Sequence, residues 1–264
     1  GLDLFKLNRE IEDLMQWISE RDAIANSHDL GQDLDHVIML LERFKQFAKD
    51  TEKCGSERVE RVNETADKLI LGGHADKSMI ANWKDMLDEA WTDLLEMIKT
   101  RSLELTASHR LHQFFHDCRD LSTRITEKTN SLNDDVGRDA ASVASSQRKH
   151  EAFEHDLQPL IDAADLISKE SAELQTSYAG GKSQEIKHRE HEVKEALKQL
   201  LSICASRRRR LEETGDLFKF LNKIRELMSW MEDVVRQMNT SDKPRDVHGV
   251  EQLMKNHKDL KEDI

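Results

Sequence analysis

With 264 residues, 35% charged against 37% hydrophobic side chains, 5% aromatics, 10 Gly and 2 Pro, the chain lacks the turn residues and aromatics of a β-rich or compact α/β fold. Its net charge of −12 excludes a predominantly nucleic-acid-binding surface and favours basic partners or simple solubility. Three widely spaced cysteines without C-x-x-C spacing (Cys54, Cys118, Cys204) read as free thiols of a reducing compartment, and no run of eighteen apolar residues offers a membrane span.

The first amphipathic segment holds Leu7 and the run Asp13-Leu14-Met15-Gln16-Trp17-Ile18-Ser19-Glu20. It is the first copy of a pattern that returns at a period of about 106 residues. Asp120-Leu121-Ser122-Thr123-Arg124-Ile125-Thr126-Glu127 is the second copy and Glu226-Leu227-Met228-Ser229-Trp230-Met231-Glu232 the third, preceded by Phe114 and Phe220 where the first has Leu7. A turn follows each: Leu30-Gly31-Gln32-Asp33, Val136-Gly137-Arg138-Asp139 and Lys243-Pro244-Arg245-Asp246. Gly or Pro is expected to end the helix there, with the Asp capping the next one.

The second helix of each copy carries Val37, Leu40, Leu41, Phe44 and Phe47, then Val143, His150, Phe153, Leu157 and Leu160, then Val250, Leu253, His257 and Leu260. Gly55 and Pro159 interrupt the two complete versions at nearly the same place, where a kink or local unwinding is expected. Gly72-Gly73-His74 and Ala179-Gly180-Gly181 form the next turn, and third helices start near Asp76 and Ser183. From Asp76 to Leu132 there is no Gly or Pro, and apolar residues from Ile80 to Ile125 recur at spacings of three and four. At about 1.5 Å per residue such a helix spans roughly 85 Å, so the third helix of one copy continues as the first helix of the next. Gly215 makes the second junction a candidate flexible point.

The expected architecture is therefore all-α: tandem antiparallel three-helix bundles joined by continuous helices, with complete units at 1–105 and 106–212 and the first part of a third at 213–264. Trp17, Trp83, Trp91, Phe114, Phe153 and Trp230 are assigned to the bundle cores. The sequence begins without Met and both ends fall inside amphipathic patterns, as expected of a piece of a longer chain.

A period of about 106 residues with D-L-x-x-W-I-x-E on the first helix resembles the spectrin family over the whole chain. Asn82 to Glu96, Leu174-Gln175-Thr176-Ser177-Tyr178-Ala179-Gly180 and Trp230-Met231-Glu232-Asp233-Val234-Val235-Arg236-Gln237 resemble its β-spectrin branch near the carboxyl end, at repeats fourteen and fifteen with the start of sixteen. The resemblance implies a structural segment that binds ankyrin and links the spectrin–actin network to membrane proteins. It also implies α-spectrin as an antiparallel lateral partner and a place in the cytoplasm at the inner face of the plasma membrane. By the same resemblance the contact surface comprises Asp85, Asp88, Glu89 and Asp93 on the third helix, with Tyr178, Ala179 and Gly180 in the turn of the second repeat. No cofactor or metal is implied, and contact with nucleic acid is not expected.

Taken alone, the four acids read as the solvated face of a helix, and Tyr178, the single tyrosine, as either a cap over the bundle end or a binding anchor on a turn. His109, His112 and His116 share a helix face near Cys118 but lack a fourth convergent ligand, and His150, His188, His191 and His257 read as ordinary helix residues. Arg207-Arg208-Arg209-Arg210 reads as a solvated, salt-bridged run rather than a lipid patch or nuclear signal, with membrane contact only indirect. No G-x-S-x-G, phosphate loop, H-E-x-x-H or calcium loop is present, so no enzyme is expected. Within the same architecture the alternative is a spacer of a spectrin, α-actinin or plakin type without a dedicated partner.

Overall fold

The computed structural model describes residues 2–239 and 243–263. They form seven helices: α1 Leu2–Ala25, α2 Leu34–Leu71, α3 Lys77–Asn130, α4 Ala140–His155, α5 Gln158–Ser177, α6 Gly181–Met238 and α7 Val247–Asp263. The fold is all-α, and among the described residues there is no strand. Among the described residues no helix is long and apolar enough to cross a membrane.

Helix starts follow the capping chemistry of the sequence. The Asp33 carboxylate accepts the His36 N–H at 2.8 Å, Asp139 accepts that of Ser142 at 2.7 Å, and Asp246 accepts that of Gly249 at 2.8 Å. At α4 the Ser142 hydroxyl accepts the Asp139 N–H in return, completing a capping box. Gly31 and Gly137, at φ of 81° and 95°, turn the chain just ahead of those caps. They do not end the preceding helices: α1 stops at Ala25 and α3 at Asn130, and an irregular segment follows each.

The chain divides into two compact units, residues 1–123 with 165–193 and residues 124–164 with 194–264. The first holds a core of Leu7, Ile11, Leu14 and Ile18 from α1, Phe44, Val59, Val62 and Ala66 from α2, and Ile80, Leu87, Leu94, Ile98 and Leu105 from α3. Their spacing of three and four places one stripe of each helix inward, where each fully buried aliphatic side chain contributes about 1.5–3 kcal/mol. Trp91 is buried, and Trp17 and Trp83 pack half-buried against this core. Farther along α3, Phe114 is buried, and Arg110 fastens α5 through an ion pair of 2.6 Å to Glu170 and a second to Glu173.

In the second unit Ile125, Val143, Leu157, Leu160, Leu197, Leu200 and Leu211 are buried. Gln147 donates to the Leu211 carbonyl at 3.0 Å, and Phe153 is half-buried under the Lys128 ammonium, 5.1 Å from the ring centre.

Four expectations need correction. α2 runs through Gly55 without interruption, because the glycine is there for contact: a Cβ would lie 2.1 Å from the Trp91 ring. Pro159, by contrast, does coincide with a break, since α4 ends at His155 and α5 starts at Gln158. Gly215 lies inside α6 against Gln147 and is no helix end. Trp230 is 41% exposed, because among the described residues no third helix covers α6 and α7 there. Arg207 is not solvated but 8% exposed, donating to the Asp135 carbonyl at 3.1 Å, whereas Arg208 and Arg210 form ion pairs with Glu154 and Asp134.

Candidate partner-binding surface

All the residues assigned to partner contact fall in the first unit. Asp85, Glu89 and Asp93 are exposed on α3, and none of the three makes a hydrogen bond or ion pair among the described residues. Asp88 is half-buried and held by α2, accepting from Asn63 Nδ2 at 2.7 Å, so it positions the two helices as well as contributing charge. Lys84, beside them, is paired with Asp67 at 2.6 Å. That hydrogen bond, with the fields of Asp67, Asp88 and Asp85, raises the Lys84 pKa against the opposing effect of burial.

The acidic face continues past Asp93 through two residues that sequence reading did not single out, Glu96 and Glu104, both exposed. At 3.6 residues per turn, Asp85, Glu89, Asp93, Glu96 and Glu104 lie within about 100° of one another around the helix. Leu103, 63% exposed, and Ala107 fall in the same band. Lys99 is an exposed cation close to it. A groove of about 460 Å³ runs beside the stripe, lined by Asp93, Glu96 and Glu104 with His28 and Arg101. Its acids match a basic side chain in charge.

Tyr178 stands where this face ends. Its hydroxyl donates to the Ala107 carbonyl at 3.1 Å, the side chain is half-buried, and desolvation raises its pKa. Leu174, buried, and the Arg110 pairs to Glu170 and Glu173 fix the end of α5 that carries the tyrosine. Ala179 and Gly180 are exposed beyond it, Gly180 at φ 65° with open space around it. Ala107 is 14 residues past Asp93 and 22 past Asp85, roughly 21 and 33 Å along the axis. The acids and the tyrosine share one face but are not in contact.

The equivalent face of the other long third helix carries a different set of residues. One period later α6 places His191, Lys194, Glu195, Gln199, Ser202 and Arg210 where α3 has Asp85, Asp88, Glu89, Asp93, Glu96 and Glu104. Only one of the six remains acidic. Comparing the two third helices position by position is the sequence signal that would have found Glu96 and Glu104.

Among the described residues no His, Cys, Asp and Glu group is arranged to hold a metal ion, and His109, His112 and His116 form no such cluster. His112 has its pKa lowered, chiefly by burial and then by Lys182.

The spectrin-repeat family model matches residues 2–107, 109–213 and 215–264. The chain is 55% identical over its whole length to the spectrin beta chain of Drosophila melanogaster. It is 44% identical over 99% of its length to the erythrocytic spectrin beta chain of Mus musculus and 41% over 99% to the non-erythrocytic spectrin beta chain 4 of Homo sapiens. It spans 12%, 12% and 10% of those relatives. With family matches across nearly every residue and a helical fold built on the same period, the chain belongs to the spectrin-repeat family.

Proposed function

We propose that this chain is a structural segment of a β-spectrin, corresponding to repeats fourteen and fifteen with the start of sixteen, and that it binds the spectrin-binding domain of ankyrin. In that role it ties a spectrin–actin network to membrane proteins at the inner face of the plasma membrane, with α-spectrin as lateral partner. The contact surface is the exposed face of α3 from Asp85 to Glu104, completed by Tyr178, Ala179 and Gly180. The carrying observation is the acidic stripe of α3, whose Asp85, Glu89 and Asp93 have no ion-pair partner among the described residues, which is reduced to one acid at the equivalent positions of α6, and which ends at an anchored tyrosine. A spacer without a partner has no reason to concentrate like charge on one third helix and not the other, because like charges at neighbouring positions destabilise a helix.

Calorimetric titration of ankyrin's spectrin-binding domain tests the reading on wild type, Asp85→Arg and Tyr178→Ala, with thermal melts of all three. Wild type is expected to bind, and both variants to melt near wild type yet lose about tenfold or more in affinity. Absence of heat and of complex on a sizing column with the wild-type chain rejects ankyrin as the partner and leaves the spacer.

A further inference from the structure

A cavity of about 310 Å³ lies where the end of α1 meets the first turns of α2, lined by Ile24, Leu40, Arg43, Phe44, Phe47 and Leu105, with no acid in its walls. Its rim is apolar and open to water: Ile24 is 50% exposed, and Met39, one turn ahead of Arg43, is 40% exposed. Where the first copy has Ile24, Met39, Leu40 and Phe44, the second has Ser131, Ser145, Ser146 and His150, so a three-helix unit does not need an apolar lining here. Exposed apolar side chains gathered at one cavity mark a contact surface.

From that cavity a strip of rings and cations follows α1 and α2. Arg21 lies over the Trp17 and Phe47 rings at 5.2 and 5.7 Å, and Arg58 over Trp17 at 5.4 Å. Both rings are half-buried. On α2, Arg43, Phe47, Arg58 and Arg61 fall within about 60° of one another, and the arginines span roughly 27 Å along the axis. Arg21, Arg43, Arg58 and Arg61 form no ion pair among the described residues. Two acids of α2 border the strip: Asp50, which accepts from Gln46 at 2.9 Å, and Glu57. Arg101 also lines the cavity, but it is 4% exposed and spent on the Asp29 carbonyl, so it offers nothing to a partner.

We propose that this strip docks an acidic amphipathic helix of another protein chain, with one large apolar side chain in the cavity and carboxylates along Arg43, Arg21, Arg58 and Arg61. The cavity lies at the bottom of the range of about 300–1,000 Å³ usual for ligand sites, which suits a side chain. The net charge of −12 repels an extended anionic bilayer, whereas a single acidic helix meets the local cations. Arg21 and Arg58 are already held over rings, so little side-chain freedom is lost when the partner arrives. The strip belongs to α1 and α2 and does not rest on the ankyrin reading.

The probe is a blocked helical peptide of about eighteen residues with leucine at spacings of three and four and glutamate and alanine elsewhere; its control has lysine for glutamate. Methyl NMR of the whole chain reads each site separately, because exposed apolar residues of α6 and α7 such as Leu227 and Leu253 also attract an amphipathic helix. The Ile24, Met39 and Leu40 methyls are expected to shift with the glutamate peptide, and to need about tenfold more of the lysine peptide at equal ionic strength. Arg43→Glu, at an exposed position, raises the midpoint at those methyls about tenfold. Ile24→Ser with Met39→Ser, both exposed, installs the second copy's residues and removes the shift at Leu40. Both variants melt like the parent chain. Shifts confined to α6 and α7, equal responses to the two peptides, or binding at Leu40 that survives both variants overturn the proposal. Pelleting with phosphatidylcholine–phosphatidylserine vesicles that is lost in Arg43→Glu assigns the strip to a membrane and overturns it as well.

Discussion

A Cβ added to Gly55 would lie 2.1 Å from Trp91 Cη2, and Trp91 cannot retreat freely, because its ring sits 6.5 Å from that of Trp17. Arg21 and Arg58 in turn lie over the Trp17 ring at 5.2 and 5.4 Å. Gly55→Ala therefore forces the ring pair and its cations to shift. The helical preference for Ala returns about 1 kcal/mol, but overpacking costs about 1–3, so a net loss of up to about 2 kcal/mol is expected in urea unfolding. At Gly215 the added Cβ comes close only to the far end of Gln147, at 2.9 Å, with Val143 at an ordinary 3.6 Å. Helix preference and one displaced hydrogen bond to Leu211 nearly cancel there, so Gly215→Ala is expected to change stability by less than about 0.5 kcal/mol.

The cysteines differ in the same residue-level way. Burial, with the Asp117 carboxylate adding, pushes the Cys118 thiol up to about 12, and burial raises that of Cys204 as well. Cys54 is exposed. Alkylation of the native chain near neutral pH, read by mass spectrometry, is expected to modify Cys54 and to reach Cys118 and Cys204 only after denaturant is added. The linkage also has a definite sign. The folded state keeps the Cys118 proton above the ordinary thiol value of 9.0, where the unfolded chain loses it, so this contribution is complete below that pH and is lost as pH climbs towards 12.

At the scale of elements, periodicity and caps were legible because each is written locally: a stripe at three and four, an Asp three residues ahead of the N–H it accepts. Pro159 was legible for the same reason, since a missing N–H is tolerated only in the first turn of a helix, where α5 has it. Gly55 and Gly215 misled because glycine marks either a backbone need or a contact need, and the second is set by a residue elsewhere, Trp91 on α3 or Gln147 on α4. Arg207 misled because a basic run does not reveal which member points inward, although the core spacing of Leu200, Cys204, Arg207 and Leu211 does place it on the buried stripe. The named acids and Tyr178 came from family resemblance. Local pattern alone could not rank them above a solvated face, and the internal comparison of α3 with α6 adds only that the acids are not repeated.

At the scale of the whole molecule, the net charge of −12 attracts any cationic partner, and the α3 face concentrates that field where, among the described residues, no cation pairs with Glu89 or Asp93. Tyr178 offers a different kind of contact, an aromatic side chain already oriented by Ala107 and half-desolvated before a partner arrives. Charge and anchor should therefore separate in ankyrin binding. Asp85→Arg with Glu89→Arg is expected to slow association and flatten its dependence on salt, because screening acts over about 8–10 Å near physiological ionic strength. Tyr178→Ala is expected to speed dissociation with the salt dependence unchanged. The two sites are roughly 33 Å apart along α3, well beyond the 7–10 Å within which substitutions couple, so their losses should add within about 0.5 kcal/mol in a double-mutant cycle. Stopped-flow association across a salt series measures all of this in one set of proteins. A coupling of several kcal/mol would mean that acids and tyrosine act through one shared rearrangement on binding, whereas additive losses assign them to separate contacts on one extended surface.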